Sequence, residues 1–181
     1  MTSPCRTDPA IPVISAAINA LRTWFGPTNT ACPPKVGTSE HVRFFAGDGA
    51  PMVAWDSHAS QSCATPFLWV RAMRRYRTAA FPREELAATN PCGLPRVMPV
   101  ELGVGWCAYV PDADRVDWNE YAAEAAVSLD TSWRLEEALC TAAGLLDTTD
   151  DEGRQIGTGT LVPYGPEGGV IAWTGVLYAT Y

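Results

Sequence analysis

The spacing of apolar residues predicts a helix near the N-terminus. Five apolar residues recur at helical intervals and so share one face: Ile11, Ile14, Ile18, Leu21 and Phe25. Gly26 and Pro27 predict the end of this helix, because glycine often follows the last helical turn and proline cannot continue it. Residues 28–40 are polar and rich in turn formers, which is typical of a loop.

Shorter apolar segments predict strands in the next part of the chain. Residues 41–46 and 51–55 flank a turn-like Gly-Asp-Gly sequence at 47–49, a pattern typical of a hairpin. Residues 56–65 are small and polar and predict a loop. Alternating side chains over residues 67–78 predict one long strand.

Residues 97–110 give the strongest strand signal. Every second residue is apolar along one side of the segment: Met98, Val100, Leu102, Val104, Trp106, Ala108 and Val110. A period of two over this length predicts a strand with one apolar face. The other parity includes Gly103 and Gly105, which predict bending or the close approach of another element.

The segment 118–146 predicts one or two helices. Asp117 followed by Glu120 has capping-box spacing, which predicts a helix over residues 118–129. Asp130 is a second cap signal and predicts a second helix, with Trp133 and the leucines after it on the buried side.

The C-terminal part predicts a closing pair of strands. Residues 158–164 and 170–180 flank a glycine-rich turn at 165–169. The predicted fold class is therefore α+β, with a mostly antiparallel sheet flanked by an N-terminal helix and one or two helices before the C-terminal strand pair. At 181 residues we expect a single domain, 1–181, with long loops at about 26–40 and 79–96.

Composition excludes some classes of protein. Apolar residues make up 47% of the chain, which is typical of a folded domain, and no apolar run is long enough to predict a membrane span. The N-terminus lacks the basic-then-apolar order of a signal peptide, so we expect a cytosolic protein. The net charge of −7 argues against a general nucleic-acid binder.

The cysteines do not predict a metal site. The six are widely and irregularly spaced, without the close pairs that zinc sites use. In a cytosolic chain we expect most of them to be buried apolar groups, although their even number leaves disulfides open.

A cluster of basic residues is the best local signal for binding. Four arginines fall within the predicted strand 67–78, among aromatic side chains: Arg71, Arg74, Arg75 and Arg77. One hypothesis is a surface for a charged partner, either nucleic acid or the acidic face of a neighbouring subunit. The alternative is a solvated strand face or intramolecular pairs with nearby acids, namely Glu84, Glu85 or Glu101.

An acidic segment follows the predicted helices. It contains Asp147, Asp150, Asp151 and Glu152 and lacks the ligand pattern of a calcium loop. It is either a solvated loop or the counter-charge for the arginines in a ring of identical copies. No metal site and no cofactor are predicted.

Candidates for catalysis are few. Only His41 and His58 offer an imidazole base, and Cys63 is the nucleophile nearest to one of them in sequence. No nucleophile-elbow motif is present. We therefore expect no catalytic residues and no enzymatic activity, with a small cytosolic enzyme that uses Cys63 or His58 as a rival hypothesis. A monomeric nucleic-acid-binding module that uses the arginines is a third.

Three segments resemble tail terminators and closely related neck proteins of long-tailed (siphovirus-type) bacteriophages with actinobacterial hosts. They are CATPFLWVR at 63–71, ELGVGWCA at 101–108 and LEEALC at 135–140, and the order of helix, sheet, helix and closing strand pair accompanies them.

The resemblance implies a virion subunit that forms a ring, typically a hexamer, at the head-proximal end of the tail. Such a ring ends polymerisation of the tail tube and joins the tail to the head. The implied partners are other copies of the chain, the tail-tube protein and the head-to-tail connector or stopper protein, with passing contact with DNA in the lumen and no membrane. The implied location is the neck of the virion, and the host cytoplasm during assembly.

The nearest rivals are other neck components. A head-to-tail adaptor would be mostly helical and a stopper mostly strand, so the predicted mixture of helices and strands favours the terminator.

Overall fold

A computed structural model describes residues 7–49, 51–61, 63–85, 90–111, 116–147 and 153–181. Within them lie three α-helices, seven strands and a short 3-10 turn at Pro91–Gly93. The helices and strands are, in chain order, α1 (Ile11–Phe25), β1 (Val42–Ala46), α2 (Met52–Ala59), β2 (Phe67–Ala72), β3 (Tyr76–Arg77), β4 (Arg96–Cys107), α3 (Trp118–Asp147), β5 (Ile156–Thr158), β6 (Val162–Glu167) and β7 (Val170–Thr180).

All seven strands belong to one mixed sheet. Its order is β1–β2–β4–β7–β5, with β3 also pairing with β4 and β6 also pairing with β7. Only the pair β1–β2 is parallel among the described strands, and the long strands β4 and β7 form its antiparallel centre. The α+β class and the mostly antiparallel sheet are therefore confirmed.

The main core lies between one face of the sheet and the helices α1 and α3. The apolar parity predicted for β4 supplies part of it, since Met98, Val100, Leu102 and Val104 are all buried there. Helix α1 has the predicted bounds, but its buried face is rotated from the predicted one. Its buried residues are Val13, Ala16, Ala17, Ala20, Leu21 and Phe25. The small alanines let α1 lie close to its neighbours, whereas Ile11 is exposed.

The opposite face of the sheet is also covered at one end. Helix α2 places Trp55 against Phe67, with the two rings T-shaped and their centroids 6.0 Å apart. Trp69, Val170 and Ala172 complete this second apolar cluster. Both faces of β4 are consequently buried, so its two glycines and Glu101 lie inside the protein.

The predicted hairpin at 41–55 is wrong. Residues 52–59 form α2, and β1 pairs in parallel with β2, Val42 opposite Leu68. Turn-like residues at 47–49 are compatible with either a strand or a helix after them. The helix is favoured because it buries Trp55 against the sheet. It also occupies part of the predicted loop 56–65.

The predicted long strand at 67–78 is interrupted. Of the one or two helices predicted over 118–146, the structure has a single continuous one, α3. Strands β2 and β3 are separate because Pro99 of β4, which has no N–H to donate, lies opposite the break. Asp130 does not cap a second helix. It lies within the continuous α3, where its carboxylate accepts hydrogen bonds from Arg134 Nε and from the Lys35 backbone N–H, each at 2.9 Å.

The remaining predictions are confirmed in part. Strands β6 and β7 form the predicted closing hairpin, although 156–158 is a separate strand paired with the far end of β7. No helix or strand occurs within 26–40. Most cysteines were expected to be buried apolar groups, which is wrong for those described: Cys63 and Cys107 form a disulfide, and Cys32, Cys92 and Cys140 are exposed.

Two glycines provide a matched test of this packing. A Cβ added at Gly103 would lie 2.1 Å from the Trp69 indole, so we expect Gly103→Ala to displace that ring and lower the free energy of unfolding by about 3 kcal/mol. Gly144 in α3 has nothing within 4 Å of an added Cβ, so Gly144→Ala should stabilise by about 1 kcal/mol. Urea unfolding measures both; equal effects would contradict the packing described.

Candidate functional site

The most site-like feature is a pocket on the face of the sheet that carries α2. It has a volume of about 130 Å³, close to what one benzene ring requires. We call it the aromatic pocket; it is lined by Pro51, Trp55, Phe67, Trp69, Arg71, Glu101, Val162, Pro163, Tyr164, Val170, Ala172 and Thr174. These residues come from α2, β2, β4, β6 and β7, so the pocket forms only when the sheet is complete.

Small residues on the central strands make room for the walls of the pocket. Gly103 and Gly105 of β4 leave space for the indoles of Trp69 and Trp55, and Ala172 of β7 lines the pocket with only a methyl group. The indole of Trp69 lies flat across Gly103, its partner in the β2–β4 ladder. The predicted close approach to the β4 glycines is thus confirmed, and the approaching group is this indole.

A buried polar set forms the floor of the pocket. Arg71 and Glu101 are only 8% and 7% exposed. The Arg71 guanidinium binds the carboxylate in two places, with Nη2 at 2.6 Å from Oε2 and Nε at 2.9 Å from Oε1. Trp69 Nε1 donates a third hydrogen bond to Glu101 Oε1 at 2.9 Å, and Arg71 Nη1 donates to the Gly47 carbonyl at 3.0 Å.

This geometry makes the floor electrically neutral but polar. The hydrogen bond with Glu101 raises the pKa of Arg71 above its ordinary value, because it stabilises the charged guanidinium. An apolar pocket with a few convergent polar groups is the usual form of a binding site. It suits a ring that has one polar edge.

Each of the predicted interface arginines has a partner within the chain, and their contact with another protein stays a prediction. Arg71 lies inside the protein. Arg74 pairs with Glu84 at 3.0 Å, and Arg77 donates to the carbonyls of Cys92 and Leu94, each at 2.8 Å. Arg75 pairs with Asp8, and this hydrogen bond lowers the pKa of the Asp8 carboxyl.

The intramolecular alternative therefore accounts for the observed contacts of these arginines. Arg71 and Arg74 use two of the acids proposed as partners, Glu101 and Glu84. Asp150, Asp151 and Glu152 lie outside the described residues, so their proposed role as counter-charge stays a prediction.

A second notable feature is the first half of α3. No residue from 118 to 130 is buried, whereas the second half has seven buried residues, five of which belong to the main core. Side chains at intervals of three and four form an exposed apolar row that we call the α3 stripe: Trp118, Tyr121, Ala122, Ala125 and Leu129. Trp118 is 76% and Leu129 73% exposed.

Polar contacts hold this half of α3 in place from another side. Ser128 Oγ accepts a hydrogen bond from Trp173 Nε1 at 2.8 Å, and Glu124 accepts one from the Tyr109 backbone N–H. Tyr109 also meets Tyr121 edge to face, with ring centroids 5.2 Å apart. These contacts fix the helix through Tyr121 and its polar side chains, while Trp118 and Leu129 remain mostly exposed.

The residues of the rival enzyme hypothesis have structural contacts. The sulfur of Cys63 is bonded to Cys107, so it is not a free thiolate in this structure. His58 Nε2 lies 2.9 Å from the Thr65 carbonyl, and its ring packs against Phe67. Across the described part of the chain, no three His, Cys, Asp or Glu side chains are grouped so as to hold a metal ion.

Comparison with known proteins adds no assignment. No protein-family model matches the sequence, and no curated protein matches it significantly. Among the helices in the described ranges, none combines the length and apolar character needed to span a membrane.

Sequence reasoning missed both the pocket and the stripe. Glu101 was considered as a partner for the arginines, but its pairing with Arg71 depends on the β2–β4 register, which places the two residues opposite each other. The α3 stripe was detectable as a run of apolar residues at helical spacing. Its exposure was not predicted, because sequence alone does not give the edge of the domain.

The buried ion pair gives a second testable prediction. Glu101→Gln leaves the Arg71 charge buried without a counter-charge, and we expect a loss of about 3 kcal/mol in the free energy of unfolding. Arg71→Met combined with Glu101→Gln should recover most of that loss, because no unpaired charge remains. Urea unfolding measures both variants.

A control is available in the exposed pair beside it. Arg74→Met removes the ion pair with Glu84, where both side chains are about half exposed, and should change stability by less than about 0.5 kcal/mol. If the double variant Arg71→Met with Glu101→Gln is as unstable as Glu101→Gln alone, then the unpaired buried charge is not the cause of the lost stability.

Proposed function

We propose that this protein is a non-enzymatic virion subunit that forms a ring at the head-proximal end of a phage tail. There it would end polymerisation of the tail tube and join the tail to the head connector. The resemblance of the segments at 63–71, 101–108 and 135–140 supplies the phage part of this proposal. The α3 stripe is the structural observation that supports assembly into a ring.

The stripe supports assembly because one copy leaves all five of its side chains exposed. An isolated helix of this length is marginal in water, and most helical stability comes from packing of an apolar face. In the first half of α3 that face is exposed, with Trp118 and Leu129 mostly in solvent. Exposed apolar patches of this kind mark interaction surfaces, and aromatic residues are enriched at their centres.

Ring formation also needs two surfaces that differ, so that contacts are heterologous and can close. The sheet offers unlike edges, with β1 at one end of its order and β5 and β6 at the other. The α3 stripe lies on a separate part of the subunit. The α+β class, with three described helices and a seven-stranded sheet, weighs against a mostly helical adaptor and a mostly stranded stopper.

The charged residues first considered for the ring are less suitable. Arg71 is buried, and the other three arginines are engaged within the chain. The apolar stripe therefore replaces the arginines as the proposed contact between copies. The same contacts, with the net charge of −7, weigh against a nucleic-acid-binding module.

The direct test is the mass of the purified protein across concentration, with and without assembled siphovirus tail tubes. We expect a closed species of about six times the 19.5 kDa subunit mass, or binding confined to tube ends by electron microscopy. Leu129→Glu should weaken assembly by about 30-fold or more, because it introduces a charge into the centre of the contact. The isolated subunit should keep its stability.

Thr23→Glu is the matched control, since it adds the same charge at an exposed position of α1. It should assemble like the wild type. A protein that stays monomeric at all concentrations and ignores tube ends would contradict the proposal.

A further inference from the structure

The aromatic pocket has the size and chemistry to receive one aromatic ring. Its volume of about 130 Å³ would take one ring of a bicyclic indole and leave the other ring at the opening, and its walls include Trp55, Trp69 and Tyr164. Aromatic side chains that enter pockets of this kind are the typical anchors of protein interfaces.

The polar floor favours a ring that donates a hydrogen bond. An ionised carboxylate has about four acceptor positions. Three described hydrogen bonds to Glu101 use three of them, two from Arg71 and one from Trp69. An indole N–H is a donor only, so it matches the acceptor capacity that remains.

The chain itself presents such a ring. Among the aromatic side chains described, Trp118 is the most exposed, and it stands at the start of α3 and of the α3 stripe. It packs only loosely on its own subunit, with its ring 5.9 Å from that of Tyr121.

The second half of α3 packs with α1 on one face of the sheet, whereas the aromatic pocket opens on the face that carries α2. The stripe and the pocket are therefore formed by different residues and different elements. A contact that joins the stripe of one copy to the pocket of the next pairs two unlike surfaces, which is the heterologous kind of contact that builds rings.

We propose that Trp118 of one copy inserts into the aromatic pocket of the next copy, with its indole N–H donating to Glu101. This rests on the proposed function, because it names the two sides of the ring contact. Each subunit then has one surface that inserts Trp118 and another that receives it, as a closed ring requires.

The test uses two variants that disable opposite sides of the contact. Trp118→Ala removes the anchor and leaves the pocket intact. Thr174→Phe fills the pocket from a partly exposed position of β7 and leaves Trp118 intact. Sedimentation velocity should show each variant alone as a monomer at concentrations where the wild type is assembled.

Mixing the two variants is the decisive step. A 1:1 mixture should form heterodimers and nothing larger, because one good anchor and one good pocket remain per pair. Thr174→Val, which keeps the shape of Thr174, should assemble like the wild type. Trp118→Phe should assemble about 10-fold more weakly, since it keeps a ring but loses the N–H donor.

The outcomes separate this inference from the proposed function. A wild-type protein that never assembles, even with tail tubes, overturns both. If the wild type assembles and Trp118→Ala assembles equally well, the function stands and the inference is wrong. If Thr174→Phe alone retains assembly, the pocket takes some other occupant, such as a small aromatic ligand, and the inference is again wrong.

Discussion

The buried contact among Trp69, Glu101 and Arg71 holds together the face of the sheet on which the pocket lies. Its geometry depends on Gly103, because any side chain there would occupy the space of the Trp69 indole. Once the indole lies flat, its N–H reaches Glu101, and the carboxylate in turn binds the guanidinium in two places. A buried charge pair is tolerated only with good geometry and further hydrogen bonds, and this one has both.

The same contact explains why the pocket is apolar at its walls and polar at its base. Glycines on β4 make room for the indoles of Trp69 and Trp55, which with Ala172 from β7 and Tyr164 from β6 line the pocket. The opposite face of the sheet is filled by α1 and by the second half of α3. The first half of α3 extends past this core, so the domain ends with an apolar row that one copy does not bury.

Local sequence patterns were sufficient to predict those elements whose apolar positions are also the buried ones. The period of two in β4 and the glycine-bounded hairpin of β6 and β7 were predictable because turn chemistry and alternation agree. Local patterns gave the wrong element where tertiary contacts determine the secondary structure. Residues 52–59 are a helix because Trp55 packs on the sheet, and Pro99 divides the strand at 67–78 from across the ladder.

Burial of the first half of α3 between copies can be measured by hydrogen–deuterium exchange of the wild-type protein, dilute and assembled. Amides of residues 118–130 should gain protection on assembly, while those of 131–147, which already pack on the core, should change little. Assembly that leaves exchange at 118–130 unaltered would show that this half of α3 is not the contact between copies.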